Sequence, residues 1–357
     1  DGRSSRYFEN IVSFPFVPGH EVVARPAGDS QGSRVVIEPV LGCAARGIAV
    51  QCDQCREGNT GNCSNLSMGN LSAGLQTGYC CDTGGGWGSK LVAHRSQVHE
   101  VPREFSNRAA VMVEPAACGT HAALSAGISD GDTVTIIGAG TLGLTTLAAV
   151  RRWTSPSTII VGAKYPHQRN FAADLGADTV VAPDEVLRAT RRSTGTMAFG
   201  DGATSISSNS RIQTASSGTS HSRRVARRLG GGADVVIDCV GNSESLETAL
   251  SIVRPRGRVV VVGMPGSVKL DLAPLWHREI TMVGAYAYGQ ERFSGPARRT
   301  FDLAFELVAA CGLERLVTAI YPLERYEEAV AHAALAGPRG AIKIAFDPAP
   351  ALKKGTP

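Results

Sequence analysis

The sequence predicts an α/β protein in which an irregular β domain precedes a doubly wound parallel sheet. Three observations carry this. From about residue 118 to 285, short β-branched runs alternate with helical patterns. Continuous apolar strands alternating with helices imply a parallel sheet covered on both faces. One strand runs straight into a glycine-rich turn, Gly138-Ala139-Gly140-Thr141-Leu142-Gly143, which opens a helix. The first ~115 residues are instead dense in Gly, Pro and Cys with brief apolar runs, the texture of an irregular all-β domain.

Taken in order, Val35–Ile37 and Leu91–Ala93 read as brief strands between turns. The parallel sheet draws on Thr133–Ile137, Thr158–Val161, Thr179–Val181, Val235–Asp238, Arg258–Val262 and Ile280–Val283. Helical patterns return at Thr300–Ala310 and Leu323–Leu335, before a last strand at Ala341–Phe346. Between Arg191 and Ser222, 18 of 32 residues are Ser, Thr or Gly, which reads as a flexible surface insert.

Composition narrows the function. Apolar residues at 43% support a core, and charged residues at 19% argue against wholesale disorder. A net charge of +4 is too small to argue for a nucleic-acid partner. The uncharged run from Thr133 to Val150 reads as strand, turn and helix, not as a membrane span. Nine cysteines, an odd number, with no secretory signal at the start, favour reduced thiols or a metal site over a disulfide scaffold.

The glycine turn fits a dinucleotide. Gly138 permits the tight turn, Gly140 lets backbone approach a pyrophosphate, and Gly143 lets helix and strand pack closely. Thr141 and Leu142 open the helix, whose N–H groups face the phosphates. The second strand of such a unit ends in Asp or Glu when the ligand is NAD, because a carboxylate binds the ribose 2′-OH. Here the chain reads Gly162-Ala163-Lys164, with Arg169 following. Without the carboxylate, and with two cations nearby, the site favours NADP over NAD. The alternative is that Lys164 and Arg169 are ordinary surface charges and NAD binds.

Four cysteines cluster in the first domain: Cys43, Cys52, Cys55 and Cys63. Thiolates at such spacing suit tetrahedral zinc, and four of them close its coordination shell, which implies a structural ion. A disulfide pair or free thiols remain the alternative. A sparser constellation joins Gly19-His20-Glu21 to Glu114-Pro115.

Together these residues resemble the medium-chain, zinc-dependent alcohol dehydrogenase family, in its polyol and threonine dehydrogenase-like branch. The resemblance rests on Gly19-His20-Glu21, the four-cysteine lobe, Gly84-Gly85-Gly86-Trp87, Glu114-Pro115, the glycine turn, Leu175-Gly176-Ala177-Asp178 and Asp238-Cys239-Val240-Gly241. It implies a GroES-like β domain formed by residues 1–117 with 287–357, and a Rossmann domain over 118–286 carrying the insert at about 191–222. It also implies catalytic zinc bound by His20 and Glu114, with Glu21 in or beside the shell. Lys343 is placed to reach the cofactor pyrophosphate, or else is a surface lysine.

The sequence departs from the family in two places. The family's first catalytic ligand is a cysteine about twenty residues before the histidine, in a Cys-x-x-Asp-like motif, and no cysteine precedes Cys43. Asp1 fits the end of that motif, so an N-terminally truncated sequence is expected. In the lobe, Ala49 stands where the family places its first cysteine. A looped-out Cys43 could close the site, or three cysteines remain.

The resulting expectation is an NAD(P)-dependent, zinc-containing alcohol dehydrogenase acting on a secondary alcohol or polyol, or on the ketone in reverse. It would be cytoplasmic, with a small-molecule substrate, no nucleic-acid or membrane partner, and a homo-oligomeric state (dimer or tetramer). Two alternatives stay open: a zinc-free enone or quinone reductase of the same superfamily, and a non-catalytic nucleotide-binding protein.

Overall fold

The computed structural model describes residues 5–29, 31–199, 228–293 and 295–347. Its centre is a parallel sheet of six strands: β4 (Thr133–Ile137), β5 (Thr158–Gly162), β6 (Thr179–Val181), β7 (Ala233–Asp238), β8 (Val253–Val261) and β9 (Thr281–Gly284), in the order β9-β8-β7-β4-β5-β6. The chain winds outward from β4 through β6, returns to pair β7 beside β4, then winds the other way. The crevice at that reversal is where such sheets bind ligands.

The strands are apolar on both sides because helices cover both faces. Side chains alternate along a strand, so Ile136 and Ile237 join one core while Ile137 and Val236 join the other. The first core is covered by α1 (Val113–Ser125), α2 (Thr141–Trp153), α3 (Pro166–Asp174) and α6 (Thr300–Cys311). The second core lies under α4 (Val186–Thr194) and α5 (Ser243–Ile252).

Ahead of this sheet lies a loop-rich region with a three-stranded antiparallel sheet: β1 (Val22–Ala24), β2 (Val35–Ile37) and β3 (Val98–Glu100). Near the C-terminus, β10 (Val317–Tyr321) pairs in parallel with β11 (Lys343–Phe346). Phe346 packs edge-on against Trp87 at 4.9 Å, which ties β11 back to the N-terminal region.

Leu91–Ala93 is not a strand. Leu91 makes a single bridge to Gly84, because the glycine run between them folds as turns and leaves one residue in register. The Ser-rich stretch falls mostly on residues 200–227, outside the described residues; its first four residues, through Thr194, complete α4.

Candidate active site

His20 is positioned by close backbone contact. Gly86 donates to the Gly19 carbonyl at 2.8 Å, and Trp87 donates to the Pro18 carbonyl at 2.9 Å. This approach requires glycine, since a Cβ on Gly85 would lie 1.9 Å from the Val17 carbonyl oxygen. Gly19 itself has φ +97°, in the left-handed region. The Gly84-Gly85-Gly86-Trp87 phrase is therefore the clamp that presents His20 and Glu21.

Glu114 arrives from the first turn of α1, where the positive end of the helix dipole favours a carboxylate. One turn on, Cys118 lies beside it, with its sulfur 3.8 Å from Glu114 Oε1. Tyr288 donates its hydroxyl to the same oxygen at 2.9 Å. Donor atoms of His20, Glu21 and Glu114 all lie within 4.8 Å of one another.

The electrostatics suit a cation. Burial, and then Lys343, hold His20 down at about 4, so its imidazole is neutral and able to ligate at neutral pH. Burial pushes the Glu114 carboxyl up to about 7, with hydrogen bonds from Tyr288 and Cys118 pulling the other way. A buried carboxylate raised by desolvation is one that a positive charge would stabilise. A neutral imidazole and carboxylates are zinc donors, so the residues fit the ion that the resemblance implies.

Lys343 is buried and forms an ion pair with Glu21, so it is no surface lysine. Its neighbour Ile342 accepts a hydrogen bond from Thr141 Oγ1 at 3.1 Å, which seats β11 against the first turn of α2. Lys343 thus lies between the His20 cluster and the dinucleotide turn.

That turn is built as the motif requires. Gly138 has φ +96°. A Cβ on Gly143 would lie 1.9 Å from the Gly138 carbonyl oxygen, whereas one on Gly140 would meet nothing within 4 Å. Gly140 therefore faces open space at the helix N-terminus, as a pyrophosphate cradle needs. Beyond β5, Lys164 is exposed while Ala163 is fully buried. Arg169 turns back, donating to the carbonyls of Ala163 and Lys164 at 3.1 Å each.

Away from this cleft, Cys43, Cys52, Cys55 and Cys63 converge, their sulfurs within 4.8 Å of one another. Two pairs, Cys43–Cys63 and Cys52–Cys63, are 3.6 and 3.9 Å apart. Sulfurs tetrahedrally bound at ~2.3 Å from zinc would be spaced in this way. The backbone N–H of Cys52 and the side chain of Asn65 donate to Cys43 Sγ, both at 3.3 Å. Cys43 thus lies among the other three sulfurs despite its displaced position in the sequence, and the cysteines of the described residues are all free.

Sequence reasoning missed Tyr79 and the role of Tyr288. The Tyr79 ring lies 5.6 Å from that of His20. Neither belongs to a motif, and 174 residues separate Tyr288 from Glu114. Among other aromatics, Trp276 and Tyr286 are exposed, and Trp87 packs on Phe346.

A doubly wound sheet set beside a metal-competent cleft defines a dehydrogenase that works with a nicotinamide cofactor and a metal. Comparison with known proteins agrees for both halves. Residues 2–103 match the alcohol dehydrogenase GroES-like domain, and residues 141–302 match the zinc-binding dehydrogenase domain. A sorbitol dehydrogenase of Arabidopsis thaliana is 24% identical, over 97% of this chain and 83% of that protein. An L-idonate 5-dehydrogenase of Vitis vinifera is 26% identical, over 94% and 80%. Among solved structures, the Escherichia coli L-idonate 5-dehydrogenase superposes with a TM-score of 0.65 at 24% identity, covering 92% of this chain and 81% of that one. A putative zinc-binding dehydrogenase from Sinorhizobium meliloti, bound to NADP, gives 0.63 at 22%, covering 90% and 81%. The chain belongs to the medium-chain, zinc-dependent alcohol and polyol dehydrogenase family. It is an NAD(P)-dependent oxidoreductase, and among its described residues no helix is long and apolar enough to cross a membrane.

Proposed function

We propose that this enzyme interconverts a secondary alcohol or polyol and the corresponding ketone, at a zinc ion held by His20 and Glu114 with Glu21 beside them. The single observation that carries the reading is the convergence of these donors within 4.8 Å, from segments far apart in sequence. Bound there, zinc supplies Lewis acidity toward the substrate oxygen.

The chain's own residues do the rest. His20 offers a neutral nitrogen, and Glu114 offers a carboxylate whose second task is to accept the Tyr288 hydroxyl. Glu21 is paired with Lys343 beside these donors, where it would tune a bound metal from within or next to its shell. Gly138, Gly140, Thr141, Leu142 and Gly143 cradle the cofactor pyrophosphate. NADP is the preferred form, supported by the missing carboxylate after β5 and the nearby Lys164 and Arg169. Cys43, Cys52, Cys55 and Cys63 hold a second, structural zinc.

In this reading residues 1–117 and 287–357 form the catalytic domain and 118–286 the dinucleotide domain. A cytoplasmic homo-oligomer, as the family resemblance implies, completes it.

The test is a panel of polyols and simple secondary alcohols, assayed with both cofactors before and after chelation. Chelator-sensitive alcohol oxidation restored by zinc is expected. Enone or quinone reduction that survives complete metal removal would overturn the reading, and so would tight cofactor binding without turnover of any alcohol.

A further inference from the structure

Among the described residues Arg46 is the bulkiest side chain wholly excluded from solvent. Its guanidinium donates to five main-chain carbonyls: Leu41 at 3.0 Å, Met68 at 3.2 Å, Leu71 at 3.1 Å, Ser72 at 3.2 Å and Gly74 at 2.6 Å. It therefore ties the turn that carries Cys43 to the segment that follows Cys63. Each guanidinium nitrogen thus has a carbonyl acceptor, but the carbonyls carry no net charge to offset that of the guanidinium.

Among the described residues no carboxylate forms an ion pair with Arg46. Burial disfavours its charged form, and the groups whose anionic forms would offset that are, in order, Cys80, Cys63, Cys43 and Asp82. Asp82 is exposed and accepts the Ser72 N–H at 2.6 Å. Two of these sulfurs, Cys43 and Cys63, belong to the four-cysteine cluster. A buried cation without a counter-ion is costly. A divalent metal bound by four thiolates is the converse, a buried centre with net negative charge. In a dry lobe the two would stabilise each other strongly.

We propose that Arg46 is the built-in counter-charge of the metal–thiolate cluster, a positioning residue whose buried cation makes retention of that metal favourable. The inference rests on the reading of the lobe as a metal site. It assigns a function to a residue that touches neither the active-site cleft nor the dinucleotide turn. It also gives the lobe a reason to carry arginine, since lysine could not make the planar fan of carbonyl bonds.

The experiment loads the full chain with cadmium and follows the thiolate-to-metal absorption band, which reports cysteine ligation independently of activity. A chelator competition then gives affinity. Arg46→Met is expected to weaken cadmium binding by about 10–100-fold, with Arg46→Lys between it and the parent. The rise in Tm on metal loading should shrink in Arg46→Met and persist in Arg46→Lys, which separates charge from packing. Should Arg46→Met fail to fold, Arg46→Gln, which keeps some carbonyl bonds without the charge, carries the same comparison. Parent-like affinity in the neutral variants, or Arg46→Lys no better than they are, overturns the inference and leaves the metal lobe standing. No cadmium band in the parent chain overturns both.

Discussion

Tyr288 donates a hydrogen bond to Glu114 Oε1 at 2.9 Å, although the two residues lie 174 positions apart. Tyr288 is 2% exposed and packs edge-on against Phe301 at 4.9 Å, so its hydroxyl has a fixed aim. Removing that hydroxyl leaves Glu114 less firmly oriented toward the cleft. Tyr288→Phe keeps the ring packing, so we expect a stability loss of only ~1 kcal/mol. Affinity for the catalytic metal should fall about 10–100-fold by chelator competition. Unchanged affinity would show that Tyr288 is packing alone.

Glu114 gives a pH signature. Burial raises it to about 7 in the metal-free fold, against ~4.3 for an unfolded glutamate. Between those values the folded chain holds a proton that the unfolded chain has released. Its contribution to stability is therefore complete below the unfolded value and is lost as pH rises to about 7, by on the order of 3 kcal/mol. Urea denaturation of the metal-free chain should show this decline, and Glu114→Gln should flatten it. Zinc needs the ionised form, so its affinity should drop as pH falls below about 7. The same slope in parent and Glu114→Gln would rule the assignment out.

The cofactor preference is best probed at Lys164. Its side chain is exposed, so truncation leaves the fold alone. Lys164→Ala should raise the Kd for NADPH by about 10–100-fold and leave that for NADH unchanged, as loss of one charge-assisted bond implies. Ala163→Asp should move preference toward NADH. Because Ala163 is fully buried, that variant also carries a folding cost, and the NADPH-to-NADH ratio is the quantity to compare. A ratio unmoved in both variants speaks against a 2′-phosphate site here.

Gly85 tests the clamp on His20. A Cβ there would fall 1.9 Å from the Val17 carbonyl oxygen, so the two segments must separate. Gly85→Ala should cost about 1–3 kcal/mol of stability and displace His20. Thermal unfolding combined with zinc content would register both effects, and a variant that keeps parental zinc content would mean that His20 is placed by something else.

Cys43 decides whether the lobe is whole. With Cys43 as the fourth corner, Cys43→Ser should lose one metal equivalent and on the order of 3 kcal/mol of stability. If Cys43→Ser retains the metal and its cadmium–thiolate band at parental strength, three cysteines are enough and Cys43 is a bystander.

Much of this protein is local in origin and was legible in the sequence. The strand at Thr133–Ile137, its glycine turn and the helix that follows need only nearest-neighbour geometry, and they fall where the pattern puts them. The edges of the pattern were less legible. Leu91–Ala93 has strand-like residues but only one bridge, because pairing needs partners in register and the glycine turns leave only Gly84 so placed.

The sequence by itself determined the order of domains, the parallel sheet, the dinucleotide turn and the residue types able to bind metal. Only the tertiary structure decided which of them meet. It brought Cys43 to the other three cysteines, placed Lys343 against Glu21, aimed Tyr288 at Glu114 and buried Arg46 between the segments that carry Cys43 and follow Cys63. The physical reason is common to all four. Hydrophobic periodicity records which face of an element is buried, whereas a polar contact across the cleft or within the lobe depends on how segments distant in sequence pack together.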